Sequence, residues 1–271
     1  MTKATAADPF FDVPREVAQT SEGPVELPIL YRRTRNINAF FLAERGRVEA
    51  ALDAAGAGEL RPTCEWRGKS LVALACFEYQ DTSIGPYHEI GVAVAVVPRG
   101  VRPRIGHWLQ MFADVDSDRR EVGMYVLHLP VSTAAACAAG REIWGLPKFV
   151  TRFHYGRAGR SVEIELADPE HADDASHCIF ALTGTLGGSL PVPAQSLLLY
   201  SHRQGQWLRT AVNVRGGARV YSGRNTQLRL GGSAHAMAGT LRALGLPGLR
   251  PLCLTDTDRF QSRLNAGHPI R

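Results

Sequence analysis

One lysine sits in the stretch GREIWGLPKFV, residues 140–150, with Pro147 before it and Phe149 after it. Arginine dominates elsewhere: of the 31 Lys and Arg side chains, only Lys3, Lys69 and Lys148 are lysines. On a solvated surface, or against a phosphate, arginine serves as well or better. What lysine adds is the capacity to lose its proton and attack a carbonyl carbon. Ile143, Trp144, Leu146, Phe149 and Val150 crowd Lys148 in sequence. Burial among such residues disfavours a charged amine, and a neutral amine near pH 7 is what Schiff-base catalysis requires. Pro147 also restricts the backbone just before the lysine. The plain alternative is a surface lysine in a loop, the common setting for that residue.

A second group lies upstream in FEYQDTSIGPYHE, residues 77–89. Glu78 ends one apolar segment and Glu89 opens another, where a carboxylate can carry a proton or hold a cation. Tyr87 and His88 flank Glu89, and only one face of an extended segment can point inward. Here the plain alternative is a pair of loop carboxylates. DVDSD at 114–118 begins like a calcium loop, but Arg119 fills the glycine position and Tyr125 stands where the bidentate glutamate belongs. The nine histidines show no HExxH spacing, so no metal is expected. There is no GxSxG elbow, and the glycine pairs lack the strand–GxGxxG–helix setting of a nucleotide site.

The elements that must position these groups read mostly as short strands. SLVALACFEY (70–79), IGVAVAVV (90–97), EVGMYVLHL (121–129), FVTRFHY (149–155) and RSVEIEL (160–166) lead the series, and others follow to about 255. Helices are expected at 46–55, from Ser132 to Gly140, and from Ser233 to Gly245. Residues 1–28 are polar and proline-rich and read as a loose arm, with one domain over 29–271. The composition, 45% hydrophobic and 21% charged, is that of a globular protein. Five scattered cysteines without a CxxC pair point to a reducing, cytoplasmic setting. The longest apolar run, 90–97, is too short to span a bilayer, so no membrane partner is expected. A net charge of +5 raises the question of nucleic acid, but the arginines are scattered and no nucleic-acid motif accompanies them.

Taken together, these stretches resemble the acetoacetate decarboxylase-like superfamily. Its signature runs GRE, four residues, proline, lysine, and GREIWGLPK fits from Gly140 to Lys148. Phe77-Glu78, Asp81-Thr82-Ser83 and Glu89 fit its second motif, and YSGRNTQLRL (221–230) fits a third loosely. The resemblance implies an α+β, mainly β fold: a cone-shaped antiparallel β-barrel with a few flanking helices, assembled as a homo-oligomer. Residues 98–120 then read as an insertion. It implies a lyase in which Lys148 forms the Schiff base with a small oxo acid, without a separate cofactor. Glu89 and Glu78 would be the further catalytic groups, and Tyr87, His88, Trp144, Phe149 and Arg35 would contact substrate. Two departures stand out. The decarboxylases proper carry a second lysine where Phe149 stands, and an arginine on an N-terminal strand near the position of Asn38, with Arg32, Arg33 and Arg35 close but out of register. Other branches of the superfamily keep the lysine and perform aldol or dehydration chemistry on pyruvate-like acids. A non-catalytic barrel that retains the fold is the alternative.

Overall fold

The computed structural model describes residues 8–102, 106–117 and 119–270. The first seven positions of the expected arm, and positions 103–105 and 118 of the expected insertion, lie outside them. Strands open the chain: β1 (Glu16–Thr20), β2 (Gly23–Leu27), β3 (Ile29–Glu44), then helix α1 (Arg45–Ala54). Next come β4 (Leu60–Pro62), β5 (Lys69–Thr82), β6 (Tyr87–Pro98), a single turn α2 (His107–Gln110) and β7 (Gly123–Val131). Helix α3 (Ala134–Trp144) leads into β8 (Lys148–Val150), β9 (Phe153–Ala158), β10 (Ser161–Leu166), β11 (Phe180–Thr185) and β12 (Ser189–Pro193). The chain closes with β13 (Leu197–Arg203), β14 (Gln206–Arg215), β15 (Gly217–Ser222), β16 (Thr226–Leu230), α4 (Ala236–Ala243), β17 (Cys253–Leu264) and β18 (His268–Pro269).

Twelve strands form one sheet, within which β3, β5, β6, β7, β13, β14 and β17 pair in a ring that the β14–β17 pairing closes. The ring is antiparallel except at β7–β13, which is parallel, as is β7–β8. Closure leaves these seven strands without a free edge. A second sheet of four strands, β16-β11-β10-β9, covers one face.

The alternation in IGVAVAVV explains the two faces. Ile90, Val92, Val94 and Val96 join a core with Ile164, Leu166 and Phe180 of the second sheet and with Met237 and Leu241 of α4. Ala93 and Ala95 point the other way, into a core with Ala136, Ala139 and Trp144 of α3 and with Val25 and Leu27 of β2. Successive strand side chains face opposite ways. Here the small residues lie on the face that α3 covers, so the helix can approach closely.

Several expectations are corrected. Residues 16–27 are not a loose arm but the β1–β2 hairpin, and the longest strand, β3, follows directly. Expected helix 132–140 starts one residue later, capped by Thr133, and runs on to Trp144, so the GRE of the signature is helical. His235, not Ser233, caps α4 through its ring nitrogen. Segment 149–155 is broken into β8 and β9. No described helix is long and apolar enough to cross a membrane.

Candidate active site

The signature is a helix end, a turn and a strand start. Gly145 caps α3 in the left-handed conformation, φ 67°, which only glycine adopts freely. The chain reverses through Leu146 and Pro147, and Pro147 O accepts from Leu129 N at 3.1 Å. Lys148 then pairs beside Leu129 of β7. Its stem runs back along α3 at Gly140, where an added Cβ would lie 2.3 Å from both Cδ and Cε of Lys148. The helix thus carries a glycine where the lysine passes. Outside, Ser21 in the β1–β2 turn donates its backbone N–H and its hydroxyl to the Glu142 carboxylate, at 3.0 and 2.5 Å, and ties the hairpin to the signature helix.

Lys148 and Glu89 meet in the protein interior. Nζ lies 2.6 Å from Oε2, and each residue is 8% exposed. Tyr79 donates to the other carboxylate oxygen at 3.1 Å, so Glu89 is held on both sides. The Tyr87 ring centroid is 5.7 Å from Nζ. Tyr31 and Tyr87 join hydroxyl to hydroxyl at 3.0 Å, and the rings of Tyr31, Tyr79 and Tyr87 lie 4.4 to 6.5 Å apart. Phe77 stacks on Tyr79 at 5.2 Å. Burial, reinforced by the Glu89 charge, pushes all three tyrosine hydroxyls well above the usual phenol range, so they remain O–H donors.

Strand register decides which expected residues share this place. Across β5–β6, Phe77 pairs with Glu89 and Tyr79 with Tyr87, whereas Glu78 pairs with His88. Directly paired residues point to the same face. Glu89 and Tyr87 therefore stand with Lys148, and Glu78 and His88 face the other way. Glu78 lies 3.7 Å from Arg35 and accepts from Gln80, and His88 stacks on Phe153 at 5.9 Å, where burial lowers its pKa. Arg35 is thus not beside Lys148. Phe149 alternates away from Lys148 and packs against His235 at 4.4 Å. Trp144 is buried in the α3 core with its indole N–H on Asn265 O at 3.0 Å, so it packs rather than lines a pocket. Near the expected arginine position, Asn38 and Asn36 are bonded to each other through both amides, at 2.7 and 3.0 Å.

Tyr31 and Tyr79 were missed by sequence reasoning. The period-2 rule applied to FEYQDTSIGPYHE would group Tyr79 with Phe77 and Tyr87 with Glu89, but uniting the two pairs requires the hairpin register. Among the described residues no cluster of three or more His, Cys, Asp or Glu is placed to hold a metal. A surface cavity of about 840 Å³ opens beside the first part of β3, the end of β5 and the middle of β17, lined in part by Arg32, Arg33 and Arg259. Phe260 on its wall is 6.0 Å from Phe77, the outermost ring of the aromatic cluster.

The family profile described as acetoacetate decarboxylase (ADC) matches residues 17–198. The chain belongs to the acetoacetate decarboxylase family. Its match ends at 198, but the family fold runs through nearly the whole chain. The acetoacetate decarboxylase of Legionella pneumophila subsp. pneumophila str. Philadelphia 1 superposes over 96% of this chain and 92% of its own, with a TM-score of 0.61 at 16% identity. An acetoacetate decarboxylase-like enzyme from Sphingomonas wittichii RW1 gives a TM-score of 0.61 at 12% identity, over 91% of this chain and 94% of its own. The enduracididine biosynthesis enzyme MppR complexed with pyruvate gives 0.59 at 12%, over 89% and 90%. At these identities the likeness is one of fold. No curated protein matches the chain.

Proposed function

We propose that this protein is a Schiff-base-forming lyase acting on an oxo acid, with Lys148 as nucleophile and Glu89 as proton carrier. The observation that carries the reading is the buried 2.6 Å contact between Lys148 Nζ and Glu89 Oε2. Moving one proton across that bond leaves a neutral amine and a carboxylic acid. The amine lone pair forms a bond to the substrate's ketone carbon, and the carbonyl π pair moves to oxygen. Glu89 returns its proton to that oxygen. The Glu89 carboxylate then takes a second proton from the nitrogen and passes it to the new hydroxyl, so the oxygen leaves as water with both protons and the iminium, which keeps one hydrogen on nitrogen, remains beside ionised Glu89.

The iminium accepts an electron pair from a breaking bond at the neighbouring carbon. If that bond runs to a carboxylate, carbon dioxide leaves; if it runs to hydrogen, Glu89 takes the proton and an enamine forms that can add to an aldehyde. Both branches need a proton carrier beside the nitrogen. Tyr79 fixes Glu89 from behind, so its second oxygen stays toward Nζ. The iminium formed on Lys148 is the electron sink, and no separate cofactor enters.

The decisive measurement is borohydride reduction in the presence of pyruvate or acetoacetate, followed by mapping of the adduct. An adduct on Lys148 is expected, and a trapped lysine elsewhere, or none with any oxo acid, would end the proposal. A second expectation follows from the register. Glu78→Gln should leave turnover within about threefold of wild type, as for a substitution outside the reacting groups. Glu89→Gln should lower it by roughly 10² to 10⁴, the range for a lost general acid–base. Equal losses in the two variants would show that Glu78 also reaches the reacting atoms.

A further inference from the structure

We propose that the hydroxyl pair of Tyr31 and Tyr87 binds the substrate's carboxylate, in place of an arginine. This deepens the Schiff-base reading of Lys148 and rests on it. A count of hydrogens leads to it. Each phenol has one O–H to give. Tyr79 gives its hydrogen to Glu89. Between Tyr31 and Tyr87 one hydroxyl donates to the other, and the second hydrogen has no protein acceptor among the described residues. Both residues are 4% exposed. A buried donor without an acceptor is costly and uncommon in a folded protein, so its presence points to an acceptor that arrives with a ligand.

Two further observations place that acceptor. Thr34 pairs directly with Tyr79 across β3–β5 and so lies on the same face; it is wholly buried, and its hydroxyl also has no partner among the described residues. The free donor of the tyrosine pair and this hydroxyl accordingly belong to one side of the sheet, the side of Lys148. The Tyr87 ring centroid lies 5.7 Å from Nζ, so the tyrosine pair adjoins the amine, and in pyruvate or acetoacetate the carboxyl carbon stands only one or two bonds from the ketone carbon that the amine would hold. Meanwhile the strand that carries Tyr31 offers no guanidinium here. Arg35 has turned to the opposite face, and Asn36 and Asn38 are engaged with each other.

A phenol O–H to a carboxylate oxygen is a charge-assisted hydrogen bond, shorter and stronger than one between neutral groups. Because burial and the Glu89 charge oppose ionisation of both phenols, the donor persists through neutral and mildly alkaline pH.

The test compares each acid with its neutral ester. Pyruvate with methyl pyruvate, and acetoacetate with methyl acetoacetate, would be trapped by borohydride on wild type, Tyr31→Phe and Tyr87→Phe. The half-saturating concentration of the acids should rise about tenfold in either variant, the usual worth of a hydrogen bond to a charged group. That of the esters should stay within about twofold. Ester adducts on Lys148 also report that the variant pocket is folded. An acid-to-ester ratio unmoved in both variants, or acids and esters weakened alike, overturns the inference and leaves the Schiff-base reading standing. Absence of any adduct in the wild-type chain overturns both.

Discussion

Lys148→Ala is expected to abolish turnover and also to loosen the fold, and the two losses have different causes. The catalytic loss should be on the order of 10⁴ or more, as when the nucleophile of a covalent mechanism is removed. The structural loss comes from Glu89, which is 8% exposed and would keep only the Tyr79 hydrogen bond. Breaking a buried ion pair by removing one partner costs about 3–5 kcal/mol, because a charge is left buried and uncompensated. Removing both charges should reverse that effect alone. Lys148→Met/Glu89→Gln is expected to recover most of the urea midpoint and none of the activity. Lys148→Arg separates the roles from the other side, since arginine keeps the cation but does not deprotonate to form an imine. Turnover above background in any of these variants would remove Lys148 from the chemistry. A Lys148→Ala midpoint equal to wild type would mean that the ion pair contributes nothing to stability.

What could be read from the chain before its fold was known depended on how local the cause was. The burial of Lys148 was legible because apolar neighbours and a preceding proline sit within eleven residues, in a chain with only three lysines. The strand-rich core was legible because period-2 alternation is written along each segment, as in RSVEIEL. Helix α3 was placed but ended too early. In sequence Gly140 reads as its stop, whereas the left-handed cap is Gly145 and Gly140 is an interior residue past which the lysine stem runs. Glu78 was grouped with Glu89, although strand alternation allows only one of them on the Lys148 face, and the register choosing between them depends on β5–β6 pairing. Tyr31 was beyond reach for the same reason. It lies 117 positions before Lys148, and only the pairing of β3 with β5 and of β5 with β6 brings it to Tyr87. Its strand, which begins just past the expected arm, carries no clear strand signal, because ILYRRTRNINAFF alternates poorly where polar Thr34, Asn36 and Asn38 point into the protein.

Gly140→Ala should reverse the usual effect of that change, and this makes it the sharpest structural prediction. In a helix interior alanine is favoured over glycine by about 1 kcal/mol, so propensity alone predicts a gain. Gly140 is interior to α3 and buried. The added Cβ, however, would lie 2.3 Å from two carbons of the Lys148 stem, far inside the ~3.5–4 Å of a favourable carbon contact. The stem cannot yield freely, because Nζ is fixed on Glu89 and the side chain is 5% exposed. Overpacking of this kind costs about 1–3 kcal/mol. A stem displaced by 1 Å also carries the amine out of line with the carbonyl, and misplacement on that scale is worth roughly 10² in rate. Both losses are expected together: a lower urea midpoint and slower adduct formation. The control is the same substitution in the Lys148→Ala background, where the stem is gone. There Gly140→Ala should be neutral or stabilising, so that the double-mutant cycle yields a coupling of about 1–3 kcal/mol. Equal destabilisation in both backgrounds would locate the constraint in the packing of α3 against the sheet and detach it from the lysine. A coupling of the expected sign would explain the spacing of GREIWGLPK physically: the chain leaves the helix at Gly145, turns at Leu146-Pro147, and brings a lysine back across the one position that has no side chain to meet it.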